Sequence, residues 1–140
     1  MSRCIFYFHV VWATQHREPM LTEEREPHVY RLIVSLAQEL KVEILAVNGM
    51  PDHIHVLMKT GAVVNMPDMV KQIKGISSAM LNRMMQPTER FRWHAGYYAA
   101  TVTPSHIPKI AAYIHGQKEH HAAGTTHEFW ERTETSEDSS

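Results

Sequence analysis

The sequence predicts an α+β fold: a ferredoxin-like or RRM-like antiparallel sheet with helices on one face, plus a C-terminal helix that carries a tyrosine. The first supporting observation is the order of apolar patterns, which runs strand, helix, hairpin, helix, strand, helix without an internal repeat. The second is size, because 140 residues with 44% hydrophobic content are enough for one core. The third is the single cysteine, Cys4, which excludes an internal disulfide framework.

The first two elements are a strand and a helix. Residues 4–13 (CIFYFHVVWA) are rich in aromatic and β-branched side chains, which is typical of a buried strand. Thr22 is the predicted N-cap of a helix that ends near Lys41. The apolar face of this helix is formed by Val29, Leu32, Ile33, Leu36 and Leu40.

A hairpin follows the first helix. Residues 42–47 alternate between apolar and polar side chains, and residues 53–59 form a second strand-like run. The Asn48-Gly49 pair between them is a common signal for a two-residue turn. We therefore expect the hairpin to reverse direction at these two residues.

The second half supplies a helix, a strand and a last helix. Pro67 suits the first turn of a helix. Its predicted core face consists of Met69, Val70, Ile73, Ile76, Met80 and Met84. Residues 96–102 (GYYAATV) predict a further strand, and the last helix runs from Ile107 to about His121.

Charge divides the chain into a domain and a tail. The formal net charge is −1, but residues 125–140 hold five acids and one arginine, so residues 1–124 carry 13 basic and 10 acidic side chains. We predict a single domain over 1–124 and an acidic, disordered tail over 125–140, because the tail lacks apolar periodicity. No apolar run reaches membrane-spanning length, and the N-terminus lacks the pattern of a signal peptide, so a cytoplasmic location is expected.

Two histidines stand one residue apart in the run PDHIHVLM. In a strand, residues i and i+2 point to the same side, so His53 and His55 project together while Ile54 points into the core. Two such imidazoles can bind one divalent ion when oxygen ligands complete the shell. The alternative is a pair of hydrogen-bonded or surface histidines on a half-exposed strand, and the motif by itself favours this alternative.

The last helix adds a nucleophile and an oxygen ligand. Tyr113 and Gln117 are four residues apart and therefore share a helical face. Gly116 lies between them and costs about 1 kcal/mol relative to alanine inside a helix, which suggests close packing at this point. A core tyrosine and a solvated glutamine are the alternative interpretation.

Taken together, these motifs resemble a known family. The histidine pair followed by the Tyr113–Gln117 helix is similar to the HUH single-tyrosine transposases of insertion sequences, specifically the TnpA type of the IS200-like group. The segments FHVVWATQHREPMLT, PDHIHVLM, VKQIKGISSAML and WHAGYYAATV agree, so the resemblance covers roughly residues 5–122 in the right order.

The resemblance implies a site and a reaction. Tyr113 is then the nucleophile, and His53, His55 and Gln117 are the ligands of Mg²⁺ or Mn²⁺. The implied reaction is transesterification of single-stranded DNA with hairpin ends, catalysed by a homodimer in which each tyrosine helix is able to complete the partner's site. The short linker TPSHIP (residues 103–108) carries two prolines, so free flexibility of that helix is not assumed.

The same chemistry follows from the residue types. A tyrosine hydroxyl has a pKa of about 10 and needs activation, and a divalent ion on the scissile phosphate aligns it for in-line attack. Attack by Tyr113 leaves a 5′-phosphotyrosine and a free 3′-hydroxyl, so a second strand can be joined without ATP. Asp52, next to the histidine motif, is a candidate turn residue or a partner of the ligands.

Six further residues are candidate DNA contacts. Between Lys59 and Arg92 the chain has six basic and two acidic residues, compatible with a polyanionic ligand, although solvated surface charge is the simpler explanation. The helical positions Lys71, Lys74 and Ser78 are expected opposite the apolar face. Arg90, Arg92 and Trp93 combine cations with an aromatic ring that can stack on a base, though Trp93 also suits packing under the sheet.

Two other functions stay open at this point. One is a replication initiator or relaxase of the same HUH chemistry, although such initiators commonly carry lysine three residues after the tyrosine, where this chain has Gly116. The other is a catalytically silent module that kept the fold and binds nucleic acid.

Overall fold

The computed structural model describes residues 4–61 and 65–133, and it is built on one four-stranded antiparallel sheet. The strands are β1 (Phe6–Ala13), β2 (Glu43–Met50), β3 (His53–Thr60) and β4 (Tyr98–Thr101), in the order β2-β3-β1-β4. The helices are α1 (Glu26–Glu39), α2 (Met66–Met85), α3 (Ile107–His115) and α4 (Gln117–Ala123). The predicted α+β fold is therefore confirmed.

The two faces of the sheet support two separate cores. Alternate residues of the central strands β1 and β3 pack against α1 and α2 in the larger core, which includes Val10, Trp12, Ile54, Val56 and Met58. On the opposite face, Leu57 packs with Ala46 of β2 and with Ile110 and Ile114 of α3. Because the side chains of a strand alternate, the odd-numbered residues of β3 lie on the face of the sheet that α3 covers.

The hairpin turns later than predicted. Asn48 and Gly49 belong to β2, where Gly49 pairs with Ile54, and the turn is formed by Pro51 and Asp52. A Cβ on Gly49 would come within 2.3 Å of the His53 carbonyl oxygen, so glycine is needed there for close strand approach rather than for a turn. The turn signal was therefore misinterpreted.

Helix α2 presents a different face to the core than predicted. Met69, Val70 and Ile73 are buried as expected, and so are Lys74, Ser77 and Leu81. The predicted core residues Ile76, Met80 and Met84 are exposed by 42%, 41% and 54%. The buried face of α2 is therefore rotated around the helix axis, relative to the prediction, so that it includes Lys74. The expectation that Lys74 lies on the solvent face was wrong.

The ends of α1 also differ from the prediction. The helix begins at Glu26 with Pro27 in its first turn, and its N-cap is Arg25 rather than Thr22. The Thr22 hydroxyl instead accepts a hydrogen bond from the Arg25 backbone N–H at 3.4 Å, in the turn before the helix. Leu40, predicted to be core, caps the C-terminus and is 36% exposed.

The last predicted helix is two helices joined at Gly116. A Cβ at Gly116 would lie 3.3 Å from the His120 ring and 3.3 Å from the Ala112 carbonyl oxygen. The close packing suggested by this glycine is therefore present, and the break redirects the residues that follow.

The structure describes part of the chain beyond Gly124. Residues 125–133 contact α3 and include a 3-10 turn, Glu128–Glu131, while the disorder of the acidic tail stays a prediction. The rest of the predicted tail, 134–140, lies outside the described residues. Among the helices of the described ranges, none has the length and apolar character needed to cross a membrane.

Candidate active site

Strand β3 places the two histidines side by side under α3. His53 and His55 share one face, as the alternation predicts, and both are buried. Their ring centroids are 5.1 Å apart. Ile54 and Val56 point the other way into the larger core.

A hydrogen-bond partner behind each histidine fixes its orientation. The His53 Nδ1 lies 2.7 Å from the Asp52 carboxylate, and the His55 Nδ1 lies 3.0 Å from the Nε2 of His9 on β1. Burial, reinforced by the neighbouring His55, lowers the pKa of His9 to about 3, so His9 is neutral and its Nε2 can accept a hydrogen bond from the Nδ1–H of His55. Both contacts favour the tautomer that leaves Nε2 available as a ligand.

The two Nε2 atoms face the same carboxylate oxygen. Oε1 of Glu131 lies 2.9 Å from the His53 Nε2 and 3.2 Å from the His55 Nε2. Nevertheless, the buried Nε2 of His53 has no aligned hydrogen bond within the described residues. The His53 nitrogen is thus close to the carboxylate but is not aligned for a hydrogen bond with it. This arrangement fits two ligands of one metal ion better than a hydrogen-bond donor and its acceptor.

These residues form a donor set suited to a metal ion. One ligand atom from each of His53, His55 and Glu131 lies within 4.8 Å of the others. Two imidazoles and a carboxylate are ligands that divalent ions such as Mn²⁺ accept, and the partners on the far side of both rings complete the arrangement. The residues present therefore fit a divalent metal.

Tyr113 reaches the same carboxylate from α3. Its hydroxyl donates to Oε2 of Glu131 and accepts the backbone N–H of His127 at 2.9 Å. Its ring lies 5.9 Å from the ring of His55 and is stacked on His120 at 4.7 Å. Tyr113, the predicted nucleophile, and the histidine pair thus contact the same side chain, Glu131.

Gln117 is fully buried at the start of α4. Its Oε1 lies 3.1 Å from the Nε2 of His121, and its Nε2 donates to Oε2 of Glu131 at 3.4 Å. The fold therefore brings together all four residues that the sequence singled out: His53, His55, Tyr113 and Gln117.

The surroundings of Tyr113, the predicted nucleophile, keep its hydroxyl protonated. Burial raises the pKa of Tyr113 to about 12, and the hydrogen bond to Glu131 acts in the same direction. Burial would raise the pKa of Glu131, but the imidazoles of His53 and His55 beside its carboxylate outweigh this effect and hold that pKa well below its usual range. Tyr113 therefore needs activation before it can attack at neutral pH.

The two histidines differ in their protonation. Burial lowers the pKa of His55, so this imidazole stays neutral. Burial also acts against a charge on His53, but the carboxylates of Asp52 and Glu131 outweigh it and raise the pKa of His53. A bound cation would replace the proton that these carboxylates attract.

The six candidate DNA contacts line one groove between α2 and the segment before β4. Its main cavity, of about 600 Å³, is bordered by Lys71, Lys74, Ser78, Arg92 and Trp93. A second cavity, of about 330 Å³, continues past Ser78 and Arg92 to Arg90. Lys74 donates to the carbonyl oxygens of His94 and Gly96, and burial lowers its pKa to about 8.

Trp93 contributes to the core as well as to the groove. Its ring packs edge-on against Phe91 at 4.6 Å and Trp12 at 5.8 Å, and its N–H donates to the Ser77 hydroxyl at 3.1 Å. Packing of Trp93 under the sheet, which was the alternative interpretation, is therefore part of its role.

The groove and the histidine site meet at one end of the sheet. The Thr14 backbone N–H donates to the Asp52 carbonyl oxygen at 2.9 Å, beside the histidines. The next residue, Gln15, donates to the Arg92 carbonyl oxygen at 3.0 Å and also borders the main cavity. The groove of the candidate DNA contacts therefore adjoins the histidine site.

Three site residues were not singled out from the sequence. His9 is an isolated histidine in a strand, and its role depends on the register between β1 and β3. His121 lies four residues after Gln117, a helical spacing that could have indicated it. Glu131 belongs to a segment whose composition predicted disorder, and no pattern in the sequence marks it.

Comparison with known proteins agrees with this site. Residues 3–117 match the family described as "Transposase IS200 like". The chain belongs to this family. It is accordingly a DNA transposase of the IS200 type, an enzyme that acts on DNA in the transposition of insertion-sequence elements.

Two curated relatives cover most of the chain. The ISDra2 transposase TnpA of Deinococcus radiodurans is 27% identical over 115 residues, which are 79% of this chain and 82% of the relative. The transposase of insertion sequence IS200 from Salmonella typhimurium is 29% identical over 122 residues, covering 84% of this chain and 80% of the relative.

Solved structures share the fold of this IS200-like transposase. A crystal structure of a protein assigned as a transposase from Deinococcus radiodurans R1 superposes with a TM-score of 0.63 at 26% identity, covering 84% of this chain and 92% of that chain. A REP-associated tyrosine transposase bound to a REP hairpin has a TM-score of 0.61 at 14% identity, covering 88% and 70%. At 14% identity, the similarity to the REP-associated transposase shows a shared fold.

The family match ends before the site does. It stops at Gln117, so His121, His127 and Glu131 lie beyond it although all three touch the predicted site residues. These three residues of the C-terminal segment therefore lie outside the matched range.

Proposed function

We propose that this IS200-like transposase cleaves and rejoins single-stranded DNA through a 5′-phosphotyrosine on Tyr113. The observation that carries the proposal is the Glu131 carboxylate, which contacts both histidine Nε2 atoms with one oxygen and the Tyr113 hydroxyl with the other. Only this carboxylate separates the proposed nucleophile from the two proposed metal ligands. Such an arrangement supports metal-assisted phosphoryl transfer.

The reaction conserves the phosphodiester energy. The Tyr113 hydroxyl loses its proton and its oxygen forms a bond to the scissile phosphorus. The bond from phosphorus to the 3′ oxygen breaks, and the departing oxygen takes up a proton, so that no proton is gained or lost overall. The DNA 5′ end is then joined to Tyr113, and attack by another 3′-hydroxyl reverses the step on a new strand. A bound Mg²⁺ or Mn²⁺ supplies charge neutralisation and alignment of the phosphate.

Each protein group has a defined task in this scheme. His53, His55 and Gln117 are the proposed metal ligands, and Asp52 and His9 keep the two imidazoles in the ligand-forming tautomer. Glu131 and the His127 N–H hold the Tyr113 hydroxyl in place.

The groove beside α2 is the proposed DNA-binding surface. Lys71, Arg90 and Arg92 supply cations for phosphates, and Trp93 offers a partly exposed aromatic ring to a base. Lys74 contributes from the floor of the groove rather than from its rim. The proposed substrate is single-stranded DNA with hairpin ends, which matches the resemblance of the site to the HUH enzymes.

The test is formation of a covalent protein–DNA adduct. Labelled single strands that carry a hairpin are incubated with Mg²⁺ or Mn²⁺, and the products are separated in denaturing gels. The wild-type protein should form an adduct, while Tyr113→Phe, which removes one oxygen and little packing, should fold and bind DNA without forming one.

Tyr98→Phe is the matched control, because Tyr98 is also buried yet lies on β4. An adduct that persists in Tyr113→Phe, or that disappears only in Tyr98→Phe, contradicts the assignment. Cleavage without strand joining would indicate a nickase instead. DNA binding with no adduct in any variant would indicate a catalytically silent binding module.

A further inference from the structure

Three imidazoles, rather than two, surround the Glu131 carboxylate. Its Oε1 lies 2.9 Å from the Nε2 of His53, 3.2 Å from that of His55 and 3.1 Å from that of His121. We propose that His121 is a third imidazole ligand of the divalent ion. This inference rests on the proposed function, since it concerns the same metal site.

The spacing of the donor atoms supports a shared ion. In an octahedral site with bonds of about 2.1 Å, neighbouring ligand atoms lie about 3.0 Å apart. The three distances from Glu131 Oε1 have this length, and so does the 3.1 Å between the His121 Nε2 and the Gln117 Oε1. His121 is thus at ligand-to-ligand distance from Glu131 and Gln117, whereas the donor atoms that all lie within 4.8 Å of one another are those of His53, His55 and Glu131. His121 therefore joins the same shell by a movement of its ring toward these three residues when the ion binds.

The fold explains why His121, and not His120, is in this position. His121 follows Gln117 by four residues, so both side chains lie on the same face of α4. His120 is directed to a different neighbour, where its ring stacks on Tyr113 at 4.7 Å. The adjacent histidine therefore serves as a matched control.

An ion can reach His121 from solvent. The His121 side chain is 26% exposed, whereas those of His53 and His55 are 2% and 0% exposed. It borders a cavity of about 430 Å³ together with Arg17, Asp52 and His53. His121 thus stands at the entrance of the site, between the buried histidines and the exterior.

The alternative is that His121 only donates a hydrogen bond to Gln117 or Glu131. Under that alternative its ring supports the site without contacting the ion. The two cases differ in metal affinity and in the spectrum of the bound metal, and neither quantity requires DNA cleavage.

The test measures metal binding to the whole protein without DNA. Mn²⁺ is titrated and the free ion is followed by electron paramagnetic resonance, and Co²⁺ is titrated with its visible absorption recorded. We expect His121→Asn to weaken Mn²⁺ binding by at least about 10-fold. Loss of a residue that only hydrogen-bonds to a metal ligand already weakens binding by about 10- to 100-fold, and the loss of a ligand should cost no less. It should also change the Co²⁺ spectrum, because one nitrogen ligand is lost.

Three variants make the outcome decisive. His53→Asn should abolish binding, and His120→Asn should leave affinity and the Co²⁺ spectrum unchanged. If His121→Asn binds Mn²⁺ as the wild type does while His53→Asn fails, the inference is wrong and the proposed metal site stands. If His53→Asn binds normally as well, the proposed metal site itself is wrong.

A measurement on the wild-type protein avoids the risk that a substitution unfolds the domain. In wild-type protein with ¹⁵N-labelled histidine, Zn²⁺ should shift the Nε2 resonances of three histidines, including that of His121. A shift confined to His53 and His55 overturns the inference.

Discussion

At the scale of single residues, the site is ordered by the partners behind its reactive groups. His9 and Asp52 lie on different loops or strands, and each contacts the Nδ1 of one histidine so that its Nε2 faces Glu131. Lys74 shows the same principle in the groove, where two backbone carbonyl oxygens hold a buried ammonium in a fixed position. Such fixed side chains reduce the reorganisation needed when a ligand binds.

Lys74 makes stability depend on pH in the alkaline range. Burial lowers its pKa to about 8 in the folded protein, below its ordinary value of 10.5, so the unfolded chain binds more protons between these limits. The free energy of unfolding should therefore rise on going from pH 8 to pH 10, by on the order of 2 kcal/mol for this group.

The measurement is urea unfolding at both pH values, with Lys74→Met as the control that lacks the titrating group. The difference between wild type and variant should shift in favour of the wild type as pH increases. DNA affinity should change in the opposite direction, because the ammonium loses its charge above pH 8. An identical pH dependence in both proteins would contradict this account of Lys74.

At the scale of elements, the β2–β3 hairpin fixes the register on which the site depends. Gly49 pairs with Ile54, between the two metal-binding candidates, and the β2 backbone approaches β3 closely at that point. Helix α2 contributes differently, because its buried arc brings Lys74 under the groove while its apolar stripe of Ile76, Met80 and Met84 faces outward.

Gly49→Ala should destabilise the protein through this hairpin. The new Cβ would lie 2.3 Å from the His53 carbonyl oxygen, a backbone atom that cannot move away without shifting β3. We expect a loss of roughly 1–3 kcal/mol in the free energy of unfolding, as is usual for overpacking, together with weaker metal binding.

Gly75→Ala is the matched control for that substitution. Gly75 lies inside α2, and a Cβ there meets no atom within 4 Å, so this change should stabilise the protein by up to about 1 kcal/mol. Chemical unfolding of the three proteins checks both signs. Equal stability of Gly49→Ala and the wild type would show that the strand contact is not restrictive.

At the scale of the whole molecule, two features bear on assembly: the two open edges of the sheet, and a proposed active site formed by a single chain. Tyr113 lies beside the histidines of its own chain, so the residues of the proposed active site come together within one protomer. Within the described residues, the outer sides of β2 and β4 carry no further strand. Open strand edges favour pairing with a second copy, and two-fold symmetry is the commonest way to achieve it.

We therefore predict a two-fold dimer in solution. Light scattering coupled to gel filtration at micromolar concentration should give twice the mass of 16.2 kDa. Mixing Tyr113→Phe with His53→Asn then tests whether a tyrosine helix can serve the partner's site, since recovery of the adduct requires that exchange. A monomeric mass would rule out the dimer.

The sequence by itself determined the features that depend on local spacing. The order of strands and helices follows from apolar patterns, the shared face of His53 and His55 follows from the two-residue period of a strand, and the pairing of Tyr113 with Gln117 follows from the helical spacing. The match of these motifs to the IS200-like family follows from the same local information.

Only the tertiary structure decided which distant residues join them. His9 is 46 residues from His55, and Glu131 is 76 residues from it, so neither contact is encoded in a local pattern. The rotation of α2 and the true position of the hairpin turn likewise depend on which packing buries the most surface across the whole domain. Periodicity specifies which face of an element is apolar, whereas strand register and the docking of helices, which are set by long-range contacts, specify what that face meets.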